Sequence, residues 1–512
     1  MEVKGIVVIL MSEVGKMKTD LLSGIDNDLS HKVTKGALWV TVSGICSRGL
    51  GIISSIILVR LLLPSDYGVM AIATAIVSMM QGLTTTGFGS AVIQKQEKPE
   101  EFLNTAWTFE LVKYSMLFFI IFLLAPLFAR FFKEPAATNI LRVISFSLIF
   151  QGLMNIGIIY FRKKLDFKRQ FIFNIVPQII YIIVVIPLAF ILRNVWALVW
   201  ASVIGGLVGC VISYIMHPYR PHLDFNINKA GELFNFGKWI LGSSIIVIIR
   251  NQGITMFVGK FLGIPILGFF NRAEAFSTAL FLQVIEIIWQ VGYPAYSQLQ
   301  KVTVRLKRAY LLTLKLLTFF GLPMTGGLLI LSWDFTHLFL TDKWITIVPV
   351  IQVLCLSAII GFINTPAGII FQAVGRPSIG TKIEAVGVII LAITIYPLSL
   401  KWGITGTAVS ILLGTLITLP VNCYMAIKIV KCSVWEFIKP ILLAMINTGI
   451  MMSGIFGVKN YLFIKVGFVQ FFSLIVSGAV IYFVVAYFFD KFFNYRIYKL
   501  IGERIKALKN KN

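Results

Sequence analysis

Charge is what this chain has least of. Asp, Glu, Lys and Arg make up 13% of its 512 residues, whereas soluble domains carry about 25%. That excludes an ordinary soluble fold and leaves an integral membrane protein. Cysteine is also sparse. Cys46, Cys210, Cys355, Cys423 and Cys432 include no CxxC pair, so neither a disulfide framework nor a thiolate metal site is expected. Four of the five lie in apolar runs and read as small apolar fillers. The P-loop, the GxSxG elbow and any His/Cys cluster are missing, which excludes ATP-driven transport by this chain and predicts no metal and no cofactor. The triplet Asp26-Asn27-Asp28 imitates a DxD motif but stands in a polar segment with no domain around it. Long external loops are lacking too. The longest, from Trp333 to Lys343, is about a dozen residues, which argues against a membrane enzyme such as a repeat-unit polymerase or ligase. The chain is expected not to be an enzyme.

Hydrophobic residues make up 58% of the chain. A membrane helix needs about 20 apolar residues in succession. Fourteen candidate spans answer to that: 37–62, 67–93, 104–131, 138–161, 171–192, 195–216, 238–259, 266–291, 309–332, 344–371, 379–400, 403–427, 437–457 and 466–489. The fold expected is all-α and polytopic. The N-terminal apolar run, Gly5 to Met11, is too short to span and precedes no small-residue cleavage site, so no signal peptide is expected. The unusual composition ahead of Met17 makes that residue an alternative start.

The basic residues test the count. With the N-terminus in the cytoplasm, and charges at span ends counted with the adjoining segment, thirty-one of the 46 Lys and Arg fall on cytoplasmic segments, nine on external ones and six within spans. That is the positive-inside bias. Most of the net charge of +24 is therefore topology and not a nucleic-acid surface. Both termini are expected in the cytoplasm of a bacterial cell, in its inner or plasma membrane, with the basic tail from Lys491 to Asn512 near anionic lipid. Trp39, Trp239, Trp333, Trp344, Trp402 and Trp435 fall near span ends and read as an aromatic belt.

A faint repeat appears at an offset of 200 residues. Trp39, Ser43, Ile45, Leu62 and Gly68 fall on Trp239, Ser243, Ile245, Leu262 and Gly268, and Arg60 falls on Lys260. RLLLPSDYG closes the first span as KFLGIPILG closes the seventh. An offset of six spans preserves orientation, so two parallel halves are expected. The chain then divides into a cytoplasmic N-terminal segment (1–35), an N-lobe of six helices (36–216), a cytoplasmic linker (217–237), a C-lobe of six helices (238–428), two additional helices (429–490) and a basic tail (491–512).

Arg250, in RNQGITMFVGKFLG, stands eleven residues past Trp239, about 16 Å along a helix, in a hydrocarbon core about 30 Å thick. Arg48 stands nine residues past Trp39, about 14 Å by the same rise. Each half thus places one arginine near mid-depth in its first helix, at about 2.5–3.5 kcal/mol on insertion scales. Such residues face a bundle interior or a wet cavity. One reading is a cationic cavity for an anion, since guanidinium forks match phosphate oxygens and keep their charge when desolvated. The other is internal pairing with carboxylates or helix-end carbonyls. Arg272 and Glu274 lie in the outer half of span eight, and Glu286 lies deeper. Either glutamate is a candidate for ion coupling, because burial raises a carboxyl pKa toward neutrality. Glu110 and Lys113 read as a local ion pair. Asp334, His337 and Glu384, near span ends, read as interfacial.

ILVRLLLPSDYGVMAIATAI followed by GFGSAVIQK resembles the first hairpin of the polysaccharide-export flippases of the multidrug/oligosaccharidyl-lipid/polysaccharide exporter superfamily. RNQGITMFVGKFLGIPILGFFNRAEAF followed by GYPAYSQLQ resembles the start of their second lobe, and the similarity covers most of residues 33–430. The resemblance implies two six-helix lobes around a central cavity. It implies a flippase that moves polyprenyl-diphosphate-linked oligosaccharide repeat units from the cytoplasmic to the outer leaflet by alternating access, with polysaccharide polymerase and export proteins as partners. Arg48, Arg250 and Arg272 would bind the diphosphate, and Glu274 or Glu286 would couple an ion. Family members often carry an aspartate three residues after the span-seven arginine, where this chain has Gly253. A lipid II flippase or a cation-coupled multidrug exporter would share the fold. The basic bias of the mid-membrane charges favours an anionic substrate over cationic drugs.

Overall fold

The computed structural model describes residues 44, 46–84, 100–163, 166–300, 302–462 and 466–493. The expectations for 1–35, for Trp39 and for the tail beyond 493 lie outside them, as do the side chains of Trp239 and Glu286. Among the described residues every regular element is helical. The reason is the solvent: in hydrocarbon each backbone N–H and C=O must be satisfied within its own segment.

The helices are α1 (46–61), α2 (Pro64–Leu83), α3 (Glu100–Phe132), α4 (Ala137–Gly152), the short α5 (Ile159–Lys163), α6 (Phe167–Leu192), α7 (Trp196–Met216), α8 (Ile227–Phe261), α9 (Ile264–Leu299), α10 (Thr303–Phe335), α11 (Val348–Ala373), α12 (Pro377–Val430), α13 (Val434–Leu462) and α14 (Phe468–Phe493). Nine helical stretches among the described residues are long and apolar enough to cross a membrane. One of these, α12, has 54 residues, about 80 Å of helix and more than twice the roughly 30 Å that a bilayer needs. Its helical path breaks at Gly403, with φ 58° and ψ −139°, where the sequence separates spans eleven and twelve. The fourth span is not the unbroken helix expected over 138–161. α4 ends at Gly152, and a 3-10 turn at Ile156–Ile158 leads into α5. Asn155 causes the break, because its side chain accepts the Gly157 N–H at 2.8 Å and its Nδ2 donates to the Tyr219 carbonyl at 2.6 Å.

The chain gathers into two compact units, one of Val42–Arg272 and one from Ala273 onward. In the second, α10 forms the spine. Phe319 and Phe362 are fully buried, Phe281 meets Phe362 edge-on at 4.9 Å, and the Tyr482 hydroxyl donates to the Phe319 carbonyl at 2.6 Å, fixing α14. Outward faces carry large apolar side chains such as Leu123, Ile191 and Phe472, as lipid requires. Trp333, Trp402 and Trp435 are exposed, as belt residues should be, but Trp344 is fully buried and acts as a core anchor. Asp334 departs further from expectation. It is 1% exposed, and the Lys459 ammonium donates to it at 2.6 Å, so it is half of an internal ion pair and not a solvated interfacial charge. Lys113 and Glu110 form the local pair that their spacing predicts.

In the first unit, residues 217–226 run extended before α8 starts at Ile227. Polar side chains hold this strand-like stretch down. Thr105 donates to Asp224 at 2.5 Å, the Asp224 N–H donates to Thr108 at 2.8 Å, and the Tyr219 hydroxyl donates to Asn104 at 2.6 Å.

Candidate functional site

The two motifs that correspond in the repeat meet in space. Pro64, at the first position of α2, presets a helical φ. Asp66 then caps the turn: Oδ2 accepts the Leu63 N–H at 2.8 Å, and Oδ1 accepts the Val195 N–H at 3.0 Å. One carboxylate thereby ties the α1–α2 corner to the α6–α7 corner. The α8–α9 corner turns at Gly263, with φ 100°. The first turns of α2 and α9 press together at two glycines. A Cβ on Gly68 would lie 1.9 Å from the Ile264 carbonyl oxygen, and a Cβ on Gly268 would lie 1.7 Å from the Pro64 carbonyl oxygen. Only hydrogen fits at either place. The contact is reciprocal at the offset of 200 residues, with Gly68 on Ile264 and Gly268 on Pro64.

One turn beyond Gly268 stands Arg272. Its Nη1 donates to the Ser55 hydroxyl at 3.2 Å and its Nη2 to the Asn271 side-chain oxygen at 2.6 Å. Its guanidinium carbon lies 4.4 Å from the centre of the Tyr67 ring. Ser55 is on α1 and Tyr67 on α2, so three helices converge on this side chain. Arg272 is eight residues from the start of α9, about 12 Å in from that end of the helix.

Arg48 and Arg250 are half-buried, on α1 and α8. Arg48 is seven residues before Ser55. Seven residues are close to two turns, so the pair shares one stripe of α1 about 10.5 Å apart. The stripe that receives Arg272 is therefore also the stripe that carries Arg48. Gly49, beside Arg48, and Gly253, one turn past Arg250, each have nothing within 4 Å of where a Cβ would be. Glu274 is half-buried on α9. The sequence reading named Arg272 but not Ser55 or Tyr67, although Tyr67 stands inside the quoted motif RLLLPSDYG.

These helices define a class, the polytopic helical membrane proteins. Solved structures share the fold. "Lipid II flippase MurJ, inward closed conformation" superposes with a TM-score of 0.73 at 15% identity, over 89% of this chain and 99% of that one. An inward-facing multidrug-resistance transporter of the MATE family superposes with a TM-score of 0.56 at 15% identity, over 83% and 98%. Residues 57–349 match the family described as polysaccharide biosynthesis protein, and the chain belongs to that family. Among relatives, the lipopolysaccharide biosynthesis protein WzxC of Escherichia coli is 22% identical over 81% of this chain and 82% of its own length. The teichuronic acid biosynthesis protein TuaB of Bacillus subtilis is 21% identical over 68% and 72%.

Proposed function

We propose that this protein flips polyprenyl-diphosphate-linked oligosaccharide repeat units from the cytoplasmic to the outer leaflet of the bacterial cell membrane, for the synthesis of a surface polysaccharide. Family membership and the relatives' roles support the class of substrate. The observation that carries the site reading is the shared stripe of α1, which holds Arg48 and receives the guanidinium of Arg272 at Ser55. Arg48, Arg250 and Arg272 together neutralise the diphosphate, because a guanidinium stays charged when desolvated and binds two phosphate oxygens at once. Bound diphosphate in turn offsets the cost of holding these cations in the membrane. The lipid tail stays in the bilayer while the sugar crosses in a hydrated cavity, which opens to each side of the membrane in turn. Glu274 and Glu286 are the candidates for a coupled proton or cation. Both termini are cytoplasmic, and a polymerase receives the flipped unit.

The experiment uses a strain lacking this protein, with polyprenyl-linked saccharides extracted and sided by leaflet. Completed repeat units should accumulate on the cytoplasmic leaflet, with relief by the intact gene and not by Arg250→Ala. Wild-type relief by a chain changed at both Arg48 and Arg250 refutes the diphosphate role. Absence of accumulation with heightened sensitivity to cationic drugs refutes the flippase reading in favour of a multidrug exporter.

A further inference from the structure

Arginine at this depth is useful to an anion only if its plane is held in place. A guanidinium on a free side chain samples many rotamers, and binding must then freeze them. Arg272 is held from three directions. Ser55 on α1 takes Nη1 at 3.2 Å, Asn271 takes Nη2 at 2.6 Å, and Tyr67 on α2 places its ring 4.4 Å from the guanidinium carbon. These three partners are all uncharged. They orient the fork.

Tyr67 is itself fixed. It is 4% exposed, and it precedes Gly68, whose missing Cβ lets α2 lie directly on the start of α9. The ring therefore makes an immobile floor under one face of the guanidinium.

We infer that Tyr67 and Ser55 are positioning residues for diphosphate recognition: they set the plane of Arg272 so that its fork meets the phosphate oxygens without rearrangement. The inference rests on the reading that Arg272 binds the diphosphate. The attraction of a ring for the guanidinium above it is equivalent to a factor of about 2 to 30, more when the pair is desolvated, and that sets the upper bound on what losing the ring costs in affinity. The hydroxyl of tyrosine is not needed for that contact, so phenylalanine should replace it.

The test is the binding of farnesyl diphosphate to the purified full-length protein in detergent by calorimetry, with farnesol as the uncharged comparator and thermal melting as the check on folding. Arg272→Ala should weaken farnesyl diphosphate about tenfold or more and leave farnesol unchanged. Tyr67→Leu should weaken farnesyl diphosphate about fivefold to tenfold and leave farnesol unchanged, and Tyr67→Phe should stay within about twofold of the parent. Ser55→Ala, which removes one hydroxyl and no packing, should cost about threefold. In Arg272→Ala, Tyr67→Leu should have no further effect. If Arg272→Ala binds like the parent, the diphosphate reading of Arg272 falls, and the positioning role with it. If Arg272→Ala weakens binding but Tyr67→Leu and Ser55→Ala do not, the positioning role alone is overturned. The same follows if Tyr67→Leu weakens farnesol equally, since that marks a general packing defect.

Discussion

Gly268→Ala is the sharpest test of the α2–α9 crossing. The added Cβ would stand 1.7 Å from the Pro64 oxygen and 2.6 Å from its carbonyl carbon. Such atoms do not approach within 3.0 Å, so α9 must retreat by at least about 1.3 Å. The obstacle is backbone and cannot swing aside as a side-chain tip would. Overpacking of this kind costs about 1–3 kcal/mol, and about 2 kcal/mol is a factor of about 30 in an equilibrium constant. The displacement also draws Arg272 off the Tyr67 ring, one turn further along. The assay is thermal melting of the full-length protein in detergent beside export by a complemented strain. Gly449→Ala in α13 is the control, because a Cβ there meets nothing within 4 Å. Gly68→Ala should behave like Gly268→Ala, and the double variant should cost less than the two single changes together, since the helices have already parted. Gly268→Ala that melts and exports like Gly449→Ala refutes the crossing.

Three further outcomes are expected. Gly403→Ala should lower the melting temperature by an amount equivalent to about 1–3 kcal/mol, because φ 58° with ψ −139° is open almost only to glycine; unchanged melting would refute the strained corner. Lys459→Met should destabilise by about 3 kcal/mol, since it leaves the buried Asp334 carboxylate without its cation, and adding Asp334→Asn should recover part of that loss; no recovery would show that packing and not charge was lost. Asn155→Ala should cost about 2 kcal/mol and speed proteolysis within residues 217–226, because the bonds to the Gly157 N–H and the Tyr219 carbonyl disappear together; an unaltered digestion rate would refute the anchoring role.

What was legible in the sequence was what the bilayer enforces. Apolar length marks a span, so the boundary between the spans ending at 400 and beginning at 403 falls beside the break at Gly403 without coordinates. A lone buried polar residue was harder to read. Asn155 interrupts the fourth span because it has partners at Tyr219 and Ser213, both distant in sequence, and an apolar window does not register them. Asp334 looked interfacial for the same reason, since Lys459, 125 residues away, is what allows its burial. Trp344 looked like a belt residue because position along the chain gives depth but not direction. The arginines could be picked out because charge at mid-span is rare. Ser55 and Tyr67 could not, because a serine and a tyrosine in a membrane helix are ordinary until an arginine from another helix is seen to rest on them.

The repeat gains meaning from the crossing. Five identities at an offset of 200 are weak evidence in so apolar a chain. A reciprocal contact is a stronger constraint. If one surface meets its own equivalent about a two-fold axis, each residue in the contact faces the demands of its counterpart, and a small residue needed on one side is needed on the other. Gly68 and Gly268 satisfy that condition, as do the carbonyls of Pro64 and Ile264 that oppose them. Arg48 and Arg250 fall two positions out of that register. They do not lie in the contact, so symmetry makes no demand on them. The same logic separates Arg272 from its counterpart Ile72, a fully buried apolar residue. The crossing keeps its symmetry because backbone meets backbone there. One turn deeper, a single charge meets a single ring, and no backbone contact there ties Arg272 to its counterpart.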